Sequence, residues 1–303
     1  MNAAISTEKL TKRFGRTTAL NELTFSVPEG SIYALLGPNG AGKTTMIKTL
    51  VNIYTPNLGK AAILDVDSRK LRPETFRKIG YVSENQELPE WMTVNKFLTY
   101  CSSMYPNWNK NFCGDLLKQF GLPLSSTIKS LSRGMKMKVA LVSSLAYRPQ
   151  LLILDEPFSG LDPLARQEFI NGVLEITENE HWTIFLSSHD IDEVDLLADW
   201  VGIIDKGQLK LSEETESLRA RFRRIEMTLA DAFPLDNHLV PKSWILPQAD
   251  GRAVSFVESQ YKEGESEPAL RKMFLTLTNL HVQAMSLKEI FLIMAKQFRM
   301  LNI

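Results

Sequence analysis

Gly37-Pro38-Asn39-Gly40-Ala41-Gly42-Lys43-Thr44 is the stretch whose residue types and spacing most directly predict chemistry. It fits G-x-x-x-x-G-K-[ST], in which small residues let successive backbone N–H groups converge on phosphate oxygens. Lys43 is spaced to reach the β/γ-phosphates, and the Thr44 hydroxyl is spaced to reach Mg²⁺. A helix-like segment over 44–51, with Thr45 in its first turn, would add its N-terminal dipole to the same anion site. The stretch predicts binding of a nucleoside triphosphate with Mg²⁺.

A second group lies far along the chain. Leu151-Leu152-Ile153-Leu154 is an apolar run that ends in Asp155 and Glu156. A carboxylate at the end of such a strand, beside a phosphate loop, is suited to holding Mg²⁺ directly or through water, which is the role expected of Asp155. Glu156, one residue on, is the natural general base for an attacking water. Two acids after a strand often do no more than cap the next helix; the phosphate loop is what favours chemistry here. His189, in Ser187-Ser188-His189-Asp190, closes another apolar run and is expected to contact the γ-phosphate or orient base and water. His181, His238 and His281 have no motif around them and are read as structural.

These groups need a scaffold. Apolar or alternating runs at 4–6, 23–27, 32–36, 151–154, 183–187 and 201–204 read as strands, the later ones buried on both faces. Helix-like segments lie between them, and strands alternating with helices imply a mostly parallel sheet. Three helix-like segments at 94–104, 109–120 and 135–147 interrupt that alternation as an inserted lobe over about 90–148. The composition changes near 215. Beyond it come a basic run at 218–224, a loop-like acidic run at 263–268, and two strand-like stretches flanking Asp250-Gly251, a hairpin signal. Ser286-Leu287-Lys288-Glu289 reads as a capping box that opens a last helix. The expectation is a domain over 1–215 and a small α+β appendage over 216–303, with the basic run on a solvated face.

Lys+Arg and Asp+Glu both number 35 in 303 residues, so no bulk charge attracts nucleic acid. Two cysteines supply neither a disulfide framework nor a zinc site, which fits a reducing compartment. The first residues lack the apolar stretch of a signal peptide. No run approaches the ~18 apolar residues of a membrane-spanning helix. A membrane process would need another chain.

Leu131-Ser132-Arg133-Gly134-Met135, opening a helix before Asp155, resembles the signature motif of ABC ATPases, usually Leu-Ser-Gly-Gly-Gln. Other family elements follow the same order: Phe14 where an aromatic stacks on adenine, Ser159-Gly160-Leu161-Asp162 like the loop along the dimer seam, and His189 like the switch histidine. The resemblance covers residues 5 to about 210. It implies the P-loop NTPase fold, with an antiparallel N-terminal β subdomain, and two chains meeting head to tail. Each ATP would then lie between the Lys43 loop of one chain and Ser132, Arg133, Gly134 and Met135 of the other. It further implies a homodimer, or a heterodimer with a second ATPase, docked on membrane-spanning permease subunits at the cytoplasmic face. Trp91 and Met92 are expected anchors for that docking. The tail resembles ABC ATPases that serve exporters. The alternatives are a soluble ABC ATPase acting on ribosomes or DNA, and a small-molecule kinase. Three positions depart from the pattern, one of them Met135, which stands where the signature usually ends in glutamine. Arg133 stands where glycine is usual, and Glu84, after Gly80-Tyr81-Val82-Ser83, stands where a glutamine ligates Mg²⁺. Glu84 is expected in that slot, with Gln86 the other candidate.

Overall fold

The structure is a computed structural model that describes residues 2–180, 182–232 and 240–300. His181 and His238 lie outside the described residues. The chain divides into two units, Met1–Ser212 and Glu213–Ile303. Glu213 belongs to the second through a bidentate pair with Arg221 (2.8 and 2.6 Å), so the division precedes the composition change at 215.

The first unit opens with β1 (Ala3–Phe14), β2 (Thr17–Pro28) and β3 (Ile32–Leu36). There follow α1 (Lys43–Leu50), β4 (Leu58–Ile63), β5 (Val66–Asp67), α2 (Pro73–Phe76) and β6 (Ile79–Ser83). The lobe contributes α3 (Val94–Met104), α4 (Lys110–Gln119) and α5 (Arg133–Leu145). Then come β7 (Leu151–Asp155), α6 (Pro163–Glu180), β8 (Thr183–Ser188), α7 (Ile191–Val194), β9 (Trp200–Asp205) and β10 (Gln208–Glu214), whose last two residues already belong to the second unit. The unit is a P-loop α/β architecture with two sheets. An antiparallel one runs β2-β1-β4-β5, and a six-stranded one runs β10-β9-β3-β8-β7-β6, parallel from β9 to β6.

Strands β3 and β7 are buried at every residue, as unbroken apolar runs require when both faces of a parallel sheet are covered. Met46, Ile47 and Leu50 of α1 join Leu10 and Leu20 of the antiparallel sheet and Leu35, Ile153 and Phe185 of the parallel one in a single core. Each such side chain contributes roughly 1.5–3 kcal/mol on burial. The phosphate loop is thereby clamped between two sheets. Register completes the arrangement: β3 pairs Leu36 with Ser188, and β7 pairs Asp155 with Ser187. The three strand ends that carry the predicted chemistry therefore share one edge.

The second unit holds α8 (Thr215–Arg221), β11 (Arg223–Leu229), β12 (Trp244–Asp250), β13 (Ala253–Glu258), α9 (Ser266–Met273), β14 (Leu277–Ala284) and α10 (Leu287–Met300). Its antiparallel sheet runs β12-β13-β11-β14, and one face packs Ile225, Met227, Trp244 and Phe256 against Leu270 and Phe274 of the α9 region. Gly251, at φ +58, opens the two-residue loop of the expected hairpin. Ser286 and Glu289 exchange the bonds of the expected capping box, Ser286 N–H to Glu289 Oε2 (3.0 Å) and Glu289 N–H to Ser286 Oγ (3.3 Å).

Two expectations are corrected here. Residues 266–268 are not loop but the first turn of α9, where Pro268 removes an N–H that has no helical partner anyway. The basic run is not a plain solvated face. Arg221 pairs with Glu213, Arg223 Nη1 donates to the Phe222 carbonyl (2.8 Å), and Arg224 pairs with Glu289 (3.1 Å).

Candidate active site

The loop that joins β3 to α1 is shaped by its glycines. A Cβ on Gly37 would stand 2.4 Å from the Ile204 carbonyl oxygen. Gly42 has φ +111, and a Cβ there would stand 2.7 Å from the Ala19 carbonyl oxygen, so conformation and space both demand glycine. Pro38, Asn39, Gly40 and Thr44 are exposed at the mouth of the loop, and Ala41 is buried behind it.

Lys43 begins α1 and is buried, 5% exposed. Its Nζ donates to the carbonyls of Gly37 (2.6 Å) and Pro38 (3.3 Å) and stands 3.0 Å from Glu156 Oε1. That last contact is an ion pair by distance; its angles fall short of a hydrogen bond, and Oε1 has no hydrogen-bond partner among the described residues. The other oxygen, Oε2, meets His189 Nδ1 at 2.7 Å. Lys43, Glu156 and His189, read from three distant stretches, form one connected group.

Glu156 sits at φ +50, a left-handed conformation that non-glycine residues rarely adopt and that costs of order 1–3 kcal/mol. Its N–H donates to both the carbonyl (3.2 Å) and the Oγ (3.0 Å) of Ser187, which holds the strained residue in place. Ser187 also donates its hydroxyl to Asp155 Oδ1 (2.8 Å), which accepts from Thr44 Oγ1 as well (3.1 Å). Burial pushes the Asp155 carboxyl above the usual carboxylate range, and the two hydroxyl donors pull it partly back.

His189 is braced from behind. Ser188 Oγ donates to Glu193 Oε2 (2.6 Å) and accepts from the Asp190 N–H (3.0 Å). Arg166 Nη1 of α6 stands 3.2 Å from Glu193 Oε1 and 3.5 Å from Asp190 Oδ2. Burial raises the Glu193 carboxyl pKa, opposed by the Ser188 hydroxyl and Arg166. Ser187, Arg166 and Glu193 were not singled out from sequence. The signal for Glu193 was present: Asp190 with an acid three residues later is a helix-start pattern.

A second corner lies at the start of α5. Ser132 caps that helix, its Oγ accepting from the Met135 N–H (3.2 Å), and both Ser132 and Arg133 are exposed. A Cβ on Gly134 would lie 3.1 Å from Ala165 Cβ, so α5 starts close against α6. Asp162 caps α6, Oδ1 accepting from the Ala165 N–H (2.9 Å). Phe14 ends β1, partly exposed, with its ring edge-on to Tyr54 (5.1 Å) and Lys12 Nζ 5.0 Å away.

Glu84, expected in the Mg²⁺ slot, is engaged elsewhere in this structure. Its Oε1 accepts from Ser159 Oγ (2.7 Å) and lies 3.8 Å from Arg133 Nη2. A carboxylate follows its donors, and here a hydroxyl and a guanidinium supply them. Gln86, the other candidate, has its Oε1 accepting from the Ser83 N–H (3.3 Å). Among the described residues no three His, Cys, Asp or Glu side chains cluster as a metal site of their own.

Two of the concavities among the described residues lie away from these corners. One in the first unit, about 440 Å³, is lined by Phe76, Tyr81, Phe97, Met104, Tyr105 and Tyr147. Trp91 is 77% exposed, but neither it nor Met92 lines that groove. The other, about 770 Å³, covers the open face of the second unit's sheet, where His281 lies beside Glu226 and Asn279.

Residues 20–159 match the family model described as ABC transporter. The chain is 33% identical over 234 residues to the bacitracin transport ATP-binding protein BcrA of Bacillus licheniformis, and 76% of each chain is covered. It is 34% identical over 215 residues to the lantibiotic transport ATP-binding protein SrtF of Streptococcus pyogenes, covering 68% of this chain and 89% of that one. A solved ATP-binding subunit of an ABC transporter, 29% identical, matches with TM-score 0.64 over 71% of this chain and 92% of its own.

Proposed function

We propose a working cycle from one premise: this chain belongs to the ATP-binding proteins of ABC transporters and hydrolyses ATP to power transport. The observation that carries the cycle is the convergence of Lys43, Glu156 and His189 at one strand edge. Lys43 and Glu156 neutralise each other at 3.0 Å. An arriving γ-phosphate, more highly charged than a carboxylate, draws Lys43 to itself. Glu156 is then free to take a proton from the water whose oxygen attacks the γ-phosphorus, with ADP as leaving group. His189 holds Oε2 of Glu156, so the carboxylate keeps its aim while it exchanges partners.

Thr44 and Asp155 would hold Mg²⁺, which supplies charge that offsets the β/γ-phosphate oxygens. The fit rests on Asp155 being a buried carboxylate with hydroxyls and no cation paired to it among the described residues. Phe14, exposed at the end of β1, takes the adenine face.

The second phosphate site faces outward. Ser132 spends an acceptor lone pair on its helix cap and keeps its hydroxyl proton, and the Gly134 N–H lies in the first turn of α5. In the proposed head-to-tail homodimer, that proton and that N–H meet the γ-phosphate held by the other chain's Lys43, with Asp162 along the seam.

No helix among the described residues is long and apolar enough to cross a membrane. Membrane passage is assigned to permease subunits, for which the aromatic groove lined by Phe97, Tyr105 and Tyr147 is the docking surface, at the cytoplasmic face. Outward transport is supported by two relatives named for the transport of bacitracin and of a lantibiotic. Nucleic acid has no place in this reading.

Mixing two broken chains tests it. A Lys43→Ala chain lacks its cradle, and a Ser132→Arg chain lacks its signature. Each alone has two damaged sites per dimer, whereas a mixed dimer gathers both defects in one site and leaves the other whole. ATPase activity, or ATP-induced association if both sites must fire together, is expected on mixing. Absence of both would mean that each site is built within one chain.

A further inference from the structure

Of the positions at which the chain departs from the ABC signature and metal-ligand patterns, the fold brings two, Arg133 and Glu84, face to face. Arg133 Nη2 stands 3.8 Å from Glu84 Oε1, which also accepts the Ser159 hydroxyl at 2.7 Å. The guanidinium lies flat on Gly160: a Cβ there would come within 2.8 Å of its Cζ and Nη1, so the backbone of this loop is bare where Arg133 rests. Three segments meet at one carboxylate: the loop after β6, the start of α5, and the loop between β7 and α6. We propose that Glu84 and Arg133 are a matched pair, in which Glu84 is a positioning residue that holds the signature segment, through Arg133 and Ser159, against the 156–162 loop of its own chain.

Chemistry favours the pairing over two independent substitutions. Arg133 without Glu84 would present an unpaired cation at a surface built for close approach, and Glu84 without Arg133 would add uncompensated negative charge near triphosphate. Together they cancel. Glu84 also links the end of a sheet strand to the start of α5 and to the loop that begins at Glu156. The half-exposed ion pair is weak by itself; the Ser159 hydrogen bond gives the clasp its direction.

The inference rests on the reading of Ser132 and Gly134 as a phosphate site for its functional consequence, but its first test does not. Hydrogen exchange of amides 133–137 is measured in nucleotide-free wild type, Glu84→Gln, Arg133→Gln and the double variant. Exchange should quicken by about two- to five-fold in each single variant and no further in the double, as a shared surface contact predicts. ATPase assays should show the same non-additive loss in kcat, KM for ATP moving less than about two-fold, and the Mg²⁺ concentration for half-maximal rate unchanged. Additive effects on exchange would overturn the pair. So would an increased Mg²⁺ requirement in Glu84→Gln without faster exchange, which would return Glu84 to the metal. Faster exchange with an unmoved kcat would keep the contact and overturn its positioning role; failure of the mixing experiment would leave the exchange result standing.

Discussion

The corner around Lys43 and the corner around Ser132 are built from the same device, a helix N-terminus behind small polar residues, yet they are finished to different degrees. Lys43 is buried and has carbonyl and carboxylate partners within its own chain. Ser132 is exposed and serves only its own helix cap in the hydrogen bonds described. The first corner holds groups that can move a proton; the second holds donors alone. Damage at the first should therefore show in an isolated chain, and damage at the second only when two chains meet.

The largest effect expected is at the finished corner. Glu156→Gln should lower turnover by about 10²–10⁴-fold, keep ATP binding, and let an ATP-bound dimer accumulate, as seen by size-exclusion chromatography with MgATP. A Gln variant with wild-type turnover would remove the base from this corner. Gly42→Ala comes next. Its left-handed φ alone should cost about 1–3 kcal/mol, and the 2.7 Å approach to the Ala19 carbonyl should deform the loop. Calorimetry should show lower stability, and titration with a fluorescent ATP analogue should show lost binding.

Asp155→Asn should do the reverse to stability while removing the carboxylate charge. Burial raises the Asp155 pKa in the folded chain above its unfolded value of about 3.9. Between the two values the folded state keeps a proton that the unfolded state has released. Stability therefore falls as pH rises through that window, and the full cost remains above it. At pH 7 the Asn variant should melt higher than wild type, and this advantage should vanish as pH falls below about 4. A melting difference independent of pH would show that the carboxylate charge is not the cause.

The smallest effect belongs to the unfinished corner. Ser132→Ala removes an exposed cap and should cost about 0.5–1 kcal/mol, with ATP affinity of the single chain unchanged. If isolated Ser132→Ala chains bind ATP more weakly, the two corners are not divided between chains.

What the sequence disclosed follows the same division between local and distant. The phosphate loop was legible because its residues are contiguous and their job is local. The strands at 32–36 and 151–154 were legible because burial on both faces leaves an unbroken apolar run. The Glu156 strain and the double duty of Ser187 were not, since they arise only from the β7–β8 register. The contacts of Glu84 were not legible either, because its spacing from Gly80 says nothing of Ser159 or Arg133. In the second unit β14 escaped notice because Leu277, Leu280 and Val282 are only partly buried, which blurs the alternation of a half-covered strand.

The tight contact behind Gly42 has a consequence for how the protein is made. The back wall of the phosphate loop comprises Ala19, whose carbonyl Gly42 passes closely, and Gly207, whose N–H donates to the Ala41 carbonyl (2.8 Å). Gly207 follows Lys206 in a tight two-residue turn, both at positive φ, between β9 and β10. A ribosome delivers the loop early and this part of its wall only when the first unit is nearly complete. A nascent chain stalled before residue 207 should thus carry the whole phosphate motif and still fail to retain ATP. Nucleotide capture would then mark the completion of the first unit, not the emergence of its loop.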